Sequence, residues 1–194
     1  MKLIGFHIIL FIVLSSSIVY SQDTLNKRWD INNQLVWSDF KGEPDSVSSF
    51  AAQCSCGPDY SIKRSYNVFN GKPKFEFVVF SKMNKYKSWV KSNAKSIQGL
   101  KHEQLHFDIC EFFSWQLLMV FKKIKYTNDI KFEDEFRELS EEMSLKEYQL
   151  QKRYDDETKH SLDTKMQNKW AIFVKDLLHN KYDLNAAMNI SFKE

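Results

Sequence analysis

The sequence predicts an α+β fold, in which an N-terminal antiparallel β-sheet is followed by a helical half. The first half of the chain holds short apolar runs separated by turn signals, and the second half holds long stretches with apolar residues three and four apart. Strands that come first and helices that follow favour α+β over an alternating fold. The length of 194 residues suggests a single domain.

The N-terminus has the pattern of a cleaved signal peptide. Lys2 supplies a positive charge, residues 3–14 are apolar, and residues 19–21 resemble a cleavage site before Gln22. The apolar run is shorter than the roughly 20 residues of a spanning helix, although an uncleaved anchor is the alternative. We expect a signal peptide at residues 1–21, a domain at residues 22–194, and a secreted or periplasmic product with no further membrane span.

The charge balance argues against a nucleic-acid partner. Cleavage after residue 21 would remove Lys2 and lower the net charge from +3 to +2, which is close to neutral. The late basic residues alternate with acidic ones, as on a solvated helix face. The sequence leaves the oligomeric state open.

The strands are predicted in order along the first half. Residues 34–40, "QLVWSDF", predict a short strand, and residues 48–63 predict one or two more, interrupted at Gly57-Pro58. Asn70-Gly71 between two apolar runs predicts a hairpin. In the second run, Phe75, Phe77 and Val79 alternate with Glu76, Val78 and Phe80, which predicts a strand that is buried on one face and partly on the other.

Three helices are predicted in the second half. The first covers about residues 89–125, the second residues 132–158 and the third residues 163–178, with a cap and turn at residues 127–129. The second helix carries many charges and only a thin apolar stripe.

The first predicted helix contains the most informative motif, "LKHEQLHFDICEFFSWQLL" at residues 100–118. His102 and His106 are four residues apart and therefore lie on one helix face. Glu103 beside them completes the His-Glu-x-x-His pattern of zinc peptidases. A zinc ion with an open coordination position lowers the pKa of water to about 7, and Glu103 would then be the general base and acid. Satisfied core or surface histidines are the alternative interpretation.

A third metal ligand is not evident from the motif itself. The metzincin extension is excluded because Ile109 and Phe112 stand where Gly and His are required. His160 follows the second predicted helix, whose end could bend back over the site, whereas His179 lies near the C-terminus. Glutamates of the second helix are further candidates: Glu133, Glu135, Glu138, Glu141, Glu142 and Glu147.

Three cysteines remain after signal cleavage: Cys54, Cys56 and Cys110. An exported chain permits disulfides, but three is an odd number. We expect one internal bridge or none, in preference to a metal site, because the Cys-x-Cys pair supplies only half of a zinc site. The sequence leaves the pairing open.

Three blocks of the chain resemble the family of secreted zinc-dependent proteases known as domain of unknown function 922. The blocks are residues 35–52, "LVWSDFKGEPDSVSSFAA", residues 100–109, "LKHEQLHFDI", and residues 154–170, "YDDETKHSLDTKMQNKW". The resemblance implies a zincin-like fold with zinc as the cofactor. It implies that His160 joins His102 and His106 as a ligand, and that Glu103 is catalytic.

Other residues of these blocks have less certain roles. Tyr154 is a candidate for stabilising an oxyanion, and Asp155 for orienting a ligand histidine, with helix packing as the alternative for both. Ser161 replaces a Gly of the family pattern, which would cost energy if that position needs a positive φ. Leu105 also replaces a Gly, but it faces away from the predicted metal. Three residues of the first block are expected to be structural: Trp37, Asp39 and Phe40.

Two functions fit these observations. The first is an exported zinc metallopeptidase that hydrolyses peptide bonds of a peptide or protein substrate. The alternative is a non-enzymatic exported binding module on a zincin scaffold, with a structural or vestigial metal site. Glu103 beside both histidines favours the enzyme, because a purely structural site needs no base.

Overall fold

The computed structural model describes residues 24–179 and 183–192 of the chain. The predicted signal peptide at residues 1–21 lies outside the described residues. The elements are β1 (Asn26–Arg28), β2 (Ala52–Gln53), β3 (Cys56–Tyr66), β4 (Pro73–Asn84), β5 (Trp89–Val90), α1 (Ile97–Phe121), α2 (Asp129–Thr158), α3 (Thr164–Leu178) and α4 (Leu184–Met188).

The strands form two small antiparallel sheets. One sheet has the order β1-β4-β3, and the other pairs β2 with β5. The long β3–β4 hairpin places Tyr66 opposite Pro73, and Gly71 in its turn has a φ of 66°. The hairpin predicted from Asn70-Gly71 is therefore confirmed, as is the α+β arrangement of an N-terminal antiparallel sheet and C-terminal helices.

Residues 34–40 do not form the predicted strand. They contain a 3₁₀ helix at Trp37–Asp39. The Asp39 carboxylate accepts hydrogen bonds from the Val36 N–H at 3.0 Å and from Lys27 Nζ at 2.7 Å. These bonds hold a turn, so the aromatic composition that favoured a strand is overridden. Phe40 is buried, and Asp39 stabilises the turn, as expected of structural residues.

Gly57-Pro58 does not interrupt the next strand. Pro58 lies inside β3, opposite Ser81 of β4. Among the residues that the structure describes, β3 is the edge strand of its sheet, and one of its sides has no partner strand. A proline is tolerated at such an edge because fewer ladder hydrogen bonds need its missing N–H.

The helix starts are set by side-chain caps. Ser96 accepts from the Gly99 N–H at 2.9 Å, so α1 begins at Ile97, later than predicted, and Trp89–Val90 forms β5 instead. Asn128 caps α2, and Asp163 caps α3. The second and third predicted helices are confirmed, whereas α4 was not predicted.

Helix α1 lies at the centre of the fold. It contacts β3 and β4 on one side and α2 and α3 on the other. The main apolar core forms where these elements meet, and its fully buried members include Ile109, Phe112, Phe113, Tyr154 and Trp170. The helix that carries the histidines is therefore held from both sides.

Buried polar side chains of α1 attach it to the N-terminal half. Gln104 Oε1 accepts from the Leu35 N–H at 2.7 Å, and Glu111 Oε2 accepts from the Ser81 N–H at 3.0 Å. Such buried groups need partners, and here the partners are backbone groups of the segment between β1 and β2 and of β4. Among the described residues, no helix combines the length and the apolarity that crossing a membrane requires.

Candidate metal centre

The two histidines of α1 point their rings at one spot. His102 and His106 are one helical turn apart, and their Nε2 atoms lie 3.1 Å from each other. His102 is only 5% exposed. The predicted i, i+4 pair is therefore assembled as expected from the helical spacing.

A hydrogen-bond chain fixes the tautomer of His102. The Tyr154 hydroxyl contacts the His102 carbonyl oxygen at 3.3 Å and so must donate to it. That hydroxyl then accepts from Gln167 Nε2 at 2.6 Å, which turns Gln167 Oε1 toward His102 Nδ1 at 3.1 Å. His102 therefore carries its proton on Nδ1, and its Nε2 presents a lone pair to the site.

The same arrangement is repeated at His106. Gln151 Nε2 donates to the His106 carbonyl oxygen at 3.0 Å, so Gln151 Oε1 faces His106 Nδ1 at 2.6 Å. A carbonyl oxygen can only accept, so the proton of His106 is on Nδ1. Both histidines are thus oriented from behind by a glutamine, in the manner of metal-ligating histidines.

Asp155 of α2 places a carboxylate between the two rings. Its Oδ1 lies 3.0 Å from Nε2 of His102 and 3.0 Å from Nε2 of His106. With Nδ1 protonated on both rings, these three atoms are all acceptors, and the arrangement requires a cation or an added proton. Asp155 therefore lies on the Nε2 side of both rings, where it does not serve the orienting role considered for it.

The pKa values of His106 and Asp155 also indicate that positive charge is stabilised at this site. Burial lowers the pKa of His106, but the hydrogen bond and charge of Asp155 outweigh burial and raise it to about 9. Burial raises the pKa of Asp155, but hydrogen bonds from His102 and His106 and their charges hold it well below its usual value.

His160 reaches the same spot from a left-handed turn. Lys159, His160 and Ser161 follow α2 with φ values of 51°, 51° and 72°. Three consecutive non-glycine residues at positive φ are uncommon and cost energy at each position. The turn brings His160 Nδ1 to 3.4 Å from Asp155 Oδ1, and the ring packs on Phe50 at 4.7 Å between centroids. Ser161 thus has a positive φ, which is the condition under which replacing the family's Gly costs energy.

These side chains could hold a metal ion. The ligand atoms of His102, Asp155 and His160 all lie within 4.8 Å of one another, and His106 Nε2 stands beside two of them. Asp155 Oδ1 lies within 3.4 Å of a ring nitrogen of each of the three histidines. Imidazole nitrogens and one carboxylate are donors that suit zinc and several other divalent metals, so the donor set fits a metal without fixing its identity.

Glu103, the residue after His102 on α1, lines the same cavity as the two histidines. It is 5% exposed. Burial raises its pKa, while the charges of His106 and His102 and a backbone hydrogen bond from Cys54 oppose the shift. A carboxyl group with a raised pKa beside a candidate metal site is suited to accept and return a proton near neutral pH.

The site opens into a cavity of about 690 Å³. Strand β2 and the segment after it form one wall, and the last half of α2 forms the other. β2 pairs only with β5, so among the described residues its other edge has no strand partner. The cavity is within the size range of small-molecule and peptide-binding clefts.

Tyr154 does not present its hydroxyl to this cavity. The residue is fully buried, its ring stacks on His102 at 4.6 Å, and its hydroxyl makes the two hydrogen bonds described above. The oxyanion role considered for Tyr154 therefore has no support in the geometry. The alternative, packing, fits the observed contacts.

The remaining ligand candidates lie apart from the cluster. Of the glutamates considered on α2, Glu147 lines the cavity, and burial raises its pKa to about 8, but within the described residues the metal-capable cluster includes none of them. His179 caps α3 and contacts the Lys175 carbonyl oxygen at 2.7 Å in an exposed position. α2 remains one helix, and the turn after it brings His160 back.

We also compared the chain with known proteins. No family model, curated protein or solved structure matches it. The resemblance to the domain of unknown function 922 family therefore stays a prediction, and the function must be argued from the site.

Sequence reasoning missed the two glutamines and the place of Asp155. Gln151 and Asp155 are four residues apart on α2, next to the buried Leu150 and Tyr154. That spacing puts them on one face of the helix, near its apolar stripe. This spacing could have identified the two residues from the sequence. It was overlooked because α2 carries many other charged residues. Gln167 on α3 carried no comparable signal.

Proposed function

We propose that this chain is a zinc-dependent peptidase of zincin-like architecture, belonging with the family that its sequence blocks resemble. The observation that carries the proposal is the convergence of two tautomer-fixed histidines and Asp155 at a cavity that Glu103 also lines. If His102 and His106 were only core residues, there would be no reason for their Nε2 lone pairs to face a carboxylate.

His102, His106 and His160 are the proposed zinc ligands. Their ring nitrogens lie 3.0, 3.0 and 3.4 Å from Asp155 Oδ1. Asp155 balances the charge of the cluster, and Gln167 and Gln151 hold the first two rings in the correct tautomer. Three protein ligands leave a position open for a reactant, as catalytic zinc sites do.

Glu103 is the proposed general base and acid. His102, His106 and His160 would hold the zinc ion, which would supply a Lewis acid for the scissile carbonyl and lower the pKa of water beside it. Glu103 takes a proton from the attacking water as the oxygen bonds to the carbonyl carbon. It returns that proton to the amine nitrogen as the C–N bond breaks. The raised pKa of Glu103 favours this exchange.

The substrate class is an extended peptide segment. Ala52 and Gln53 of β2 line the cavity, and the unpaired edge of this strand can hydrogen-bond a peptide backbone. Hydrogen bonds to the peptide backbone position a substrate without selecting for its side chains. We expect unfolded proteins or flexible peptides to be cleaved in preference to folded ones.

The test compares wild type with Glu103→Gln, and with Glu133→Gln as an exposed control on α2 that does not line the cavity. Each protein is assayed for zinc content, fold by circular dichroism, and hydrolysis of a panel of unfolded proteins and peptides. We expect all three to hold zinc and fold. Hydrolysis should fall about 10²–10⁴-fold in Glu103→Gln alone.

Two outcomes would count against this mechanism. If Glu103→Gln cleaves as fast as wild type, Glu103 is not the base. If wild type holds zinc and cleaves nothing in the panel, the binding-module alternative gains support, and a search for a bound partner becomes the next step.

A further inference from the structure

A group of three thiols lies beside the candidate metal centre and has no part in the proposed mechanism. Cys56 Sγ at the start of β3 lies 2.7 Å from Cys110 Sγ on α1, and the Cys54 thiol hydrogen-bonds Cys56. All three cysteines are free in this structure. We propose that Cys56 and Cys110 are oxidised to a disulfide that joins β3 to α1, and that Cys54 remains a thiol.

The packing favours this pair. Cys110 is fully buried among residues that join α1 to the sheet, including Met83, which lies opposite Cys56 in the β3–β4 register. The two sulfur atoms therefore meet where helix and sheet already touch. A disulfide needs sulfur atoms about 2.0 Å apart, and a small shift of the side chains provides this.

The alternative pair, Cys54 and Cys56, is disfavoured by the residue between them. The Ser55 N–H donates to Ser88 Oγ at 2.8 Å, and the Ser55 carbonyl oxygen accepts from the Asn84 N–H at 2.8 Å. A bridge around one residue would force the chain to fold on itself and break these bonds. The pair Cys56–Cys110 leaves them in place.

The proposed reaction uses a low-molecular-weight disulfide, such as oxidised glutathione, as the oxidant. Cys56 lines the cavity and can be reached from solvent, whereas Cys110 cannot. The Cys56 thiolate attacks one sulfur of the oxidant and releases one glutathione thiolate. The deprotonated Cys110 then attacks Cys56 Sγ and releases the second. Two protein thiols are oxidised, and one oxidant molecule is reduced to two thiols.

The bond would stabilise the part of the fold that supports the site. Cys56 and Cys110 are 54 residues apart, so the bridge closes a long loop in the unfolded chain. It also fixes the segment whose Cys54 N–H bonds the Glu103 carboxylate.

The pairing is tested by peptide mapping of the purified chain after incubation with oxidised glutathione and alkylation of remaining thiols. Trypsin places Cys54 and Cys56 in the peptide of residues 42–63, and Cys110 in the peptide of residues 102–122. We expect these peptides to be disulfide-linked in wild type and in Cys54→Ser, and unlinked in Cys56→Ser and Cys110→Ser. A Cys54–Cys56 loop, a link that needs Cys54, a link between chains or three alkylated thiols would overturn the proposal.

A thermal measurement on wild type tests the structural consequence, so the main comparison does not depend on a variant that folds. Reduction of oxidised wild type should lower its Tm by about 5–15 °C. Cys54→Ser should show the same loss, and Cys110→Ser, where it folds, should show none. An unchanged Tm on reducing a mapped Cys56–Cys110 bond would overturn the stabilising role. Neither experiment depends on zinc binding or hydrolysis.

Discussion

His106 Nε2 lies 3.0 Å from Asp155 Oδ1, while Gln151 Oε1 holds the opposite nitrogen of the same ring at 2.6 Å. The glutamine fixes the proton on Nδ1, so the face toward Asp155 is a lone pair. Without a metal, an added proton is the only bridge between these two acceptors. A metal ion that binds at this site would therefore take the place of that proton.

The first prediction is that zinc binding releases about one proton per chain at pH 7. The pKa of His106 is raised to about 9, so the metal-free ring is protonated at pH 7 and must lose that proton to become a ligand. The apparent affinity should rise about tenfold per pH unit between pH 7 and 9. Calorimetric titration in buffers of different ionisation enthalpy measures the release, and heats that are equal in all buffers would contradict it.

The second prediction concerns the glutamine behind His106. Gln151→Ala should lower zinc affinity about 10–100-fold, because the ring loses the acceptor that sets its tautomer. Gln149→Ala is the matched control, since Gln149 is exposed on the same helix two residues earlier. Zinc affinity is measured by competition with a chromogenic chelator. Equal affinities of the two variants would show that Gln151 has no orienting role.

The third prediction separates the two remaining histidines. His160→Ala should weaken zinc binding much more than His179→Ala, because only His160 reaches the cluster. Asp155→Asn should weaken binding less than His160→Ala if Asp155 balances charge and is not a required ligand. The same chelator competition ranks the three variants, and a larger loss in Asp155→Asn would make the carboxylate the third ligand.

The fourth prediction concerns the left-handed turn that presents His160. Ser161 has a φ of 72°, so Ser161→Gly should stabilise the fold by roughly 0.5–1 kcal/mol, as relief of strain exceeds the entropy cost of glycine. Leu162→Gly is the control, because Leu162 lies in the same turn and is not among the residues with positive φ. Urea unfolding gives both values. Destabilisation by Ser161→Gly as large as that by Leu162→Gly would mean that the turn is not strained at Ser161.

The sequence predicted the elements with strong periodicity and the residues whose spacing alone brings them together. His102 and His106 needed only a helix, and the hairpin needed only Asn70-Gly71. The 3₁₀ turn at residues 37–39 was missed because one carboxylate, Asp39, overrides the local aromatic pattern. The start of α1 was misplaced because apolar residues of β5 continue the helical pattern upstream.

The partners of the site residues depend on tertiary packing that local spacing does not encode. Gln167 meets His102 across 65 residues of chain, and Asp155 meets His106 across 49. The orienting role considered for Asp155 does not fit the geometry: Asp155 contacts Nε2 of both rings, and glutamines contact Nδ1. The packing of α2 against α1 decides which side of the rings the carboxylate reaches.

The most direct test is the metal content of the purified chain, measured by mass spectrometry of the elements after dialysis against metal-free buffer. Wild type should hold one zinc per chain. The double variant His102→Ala/His106→Ala should hold none while keeping its helical circular dichroism. One zinc retained by the double variant, or none held by a folded wild type that has been offered zinc, would contradict the metal centre proposed here.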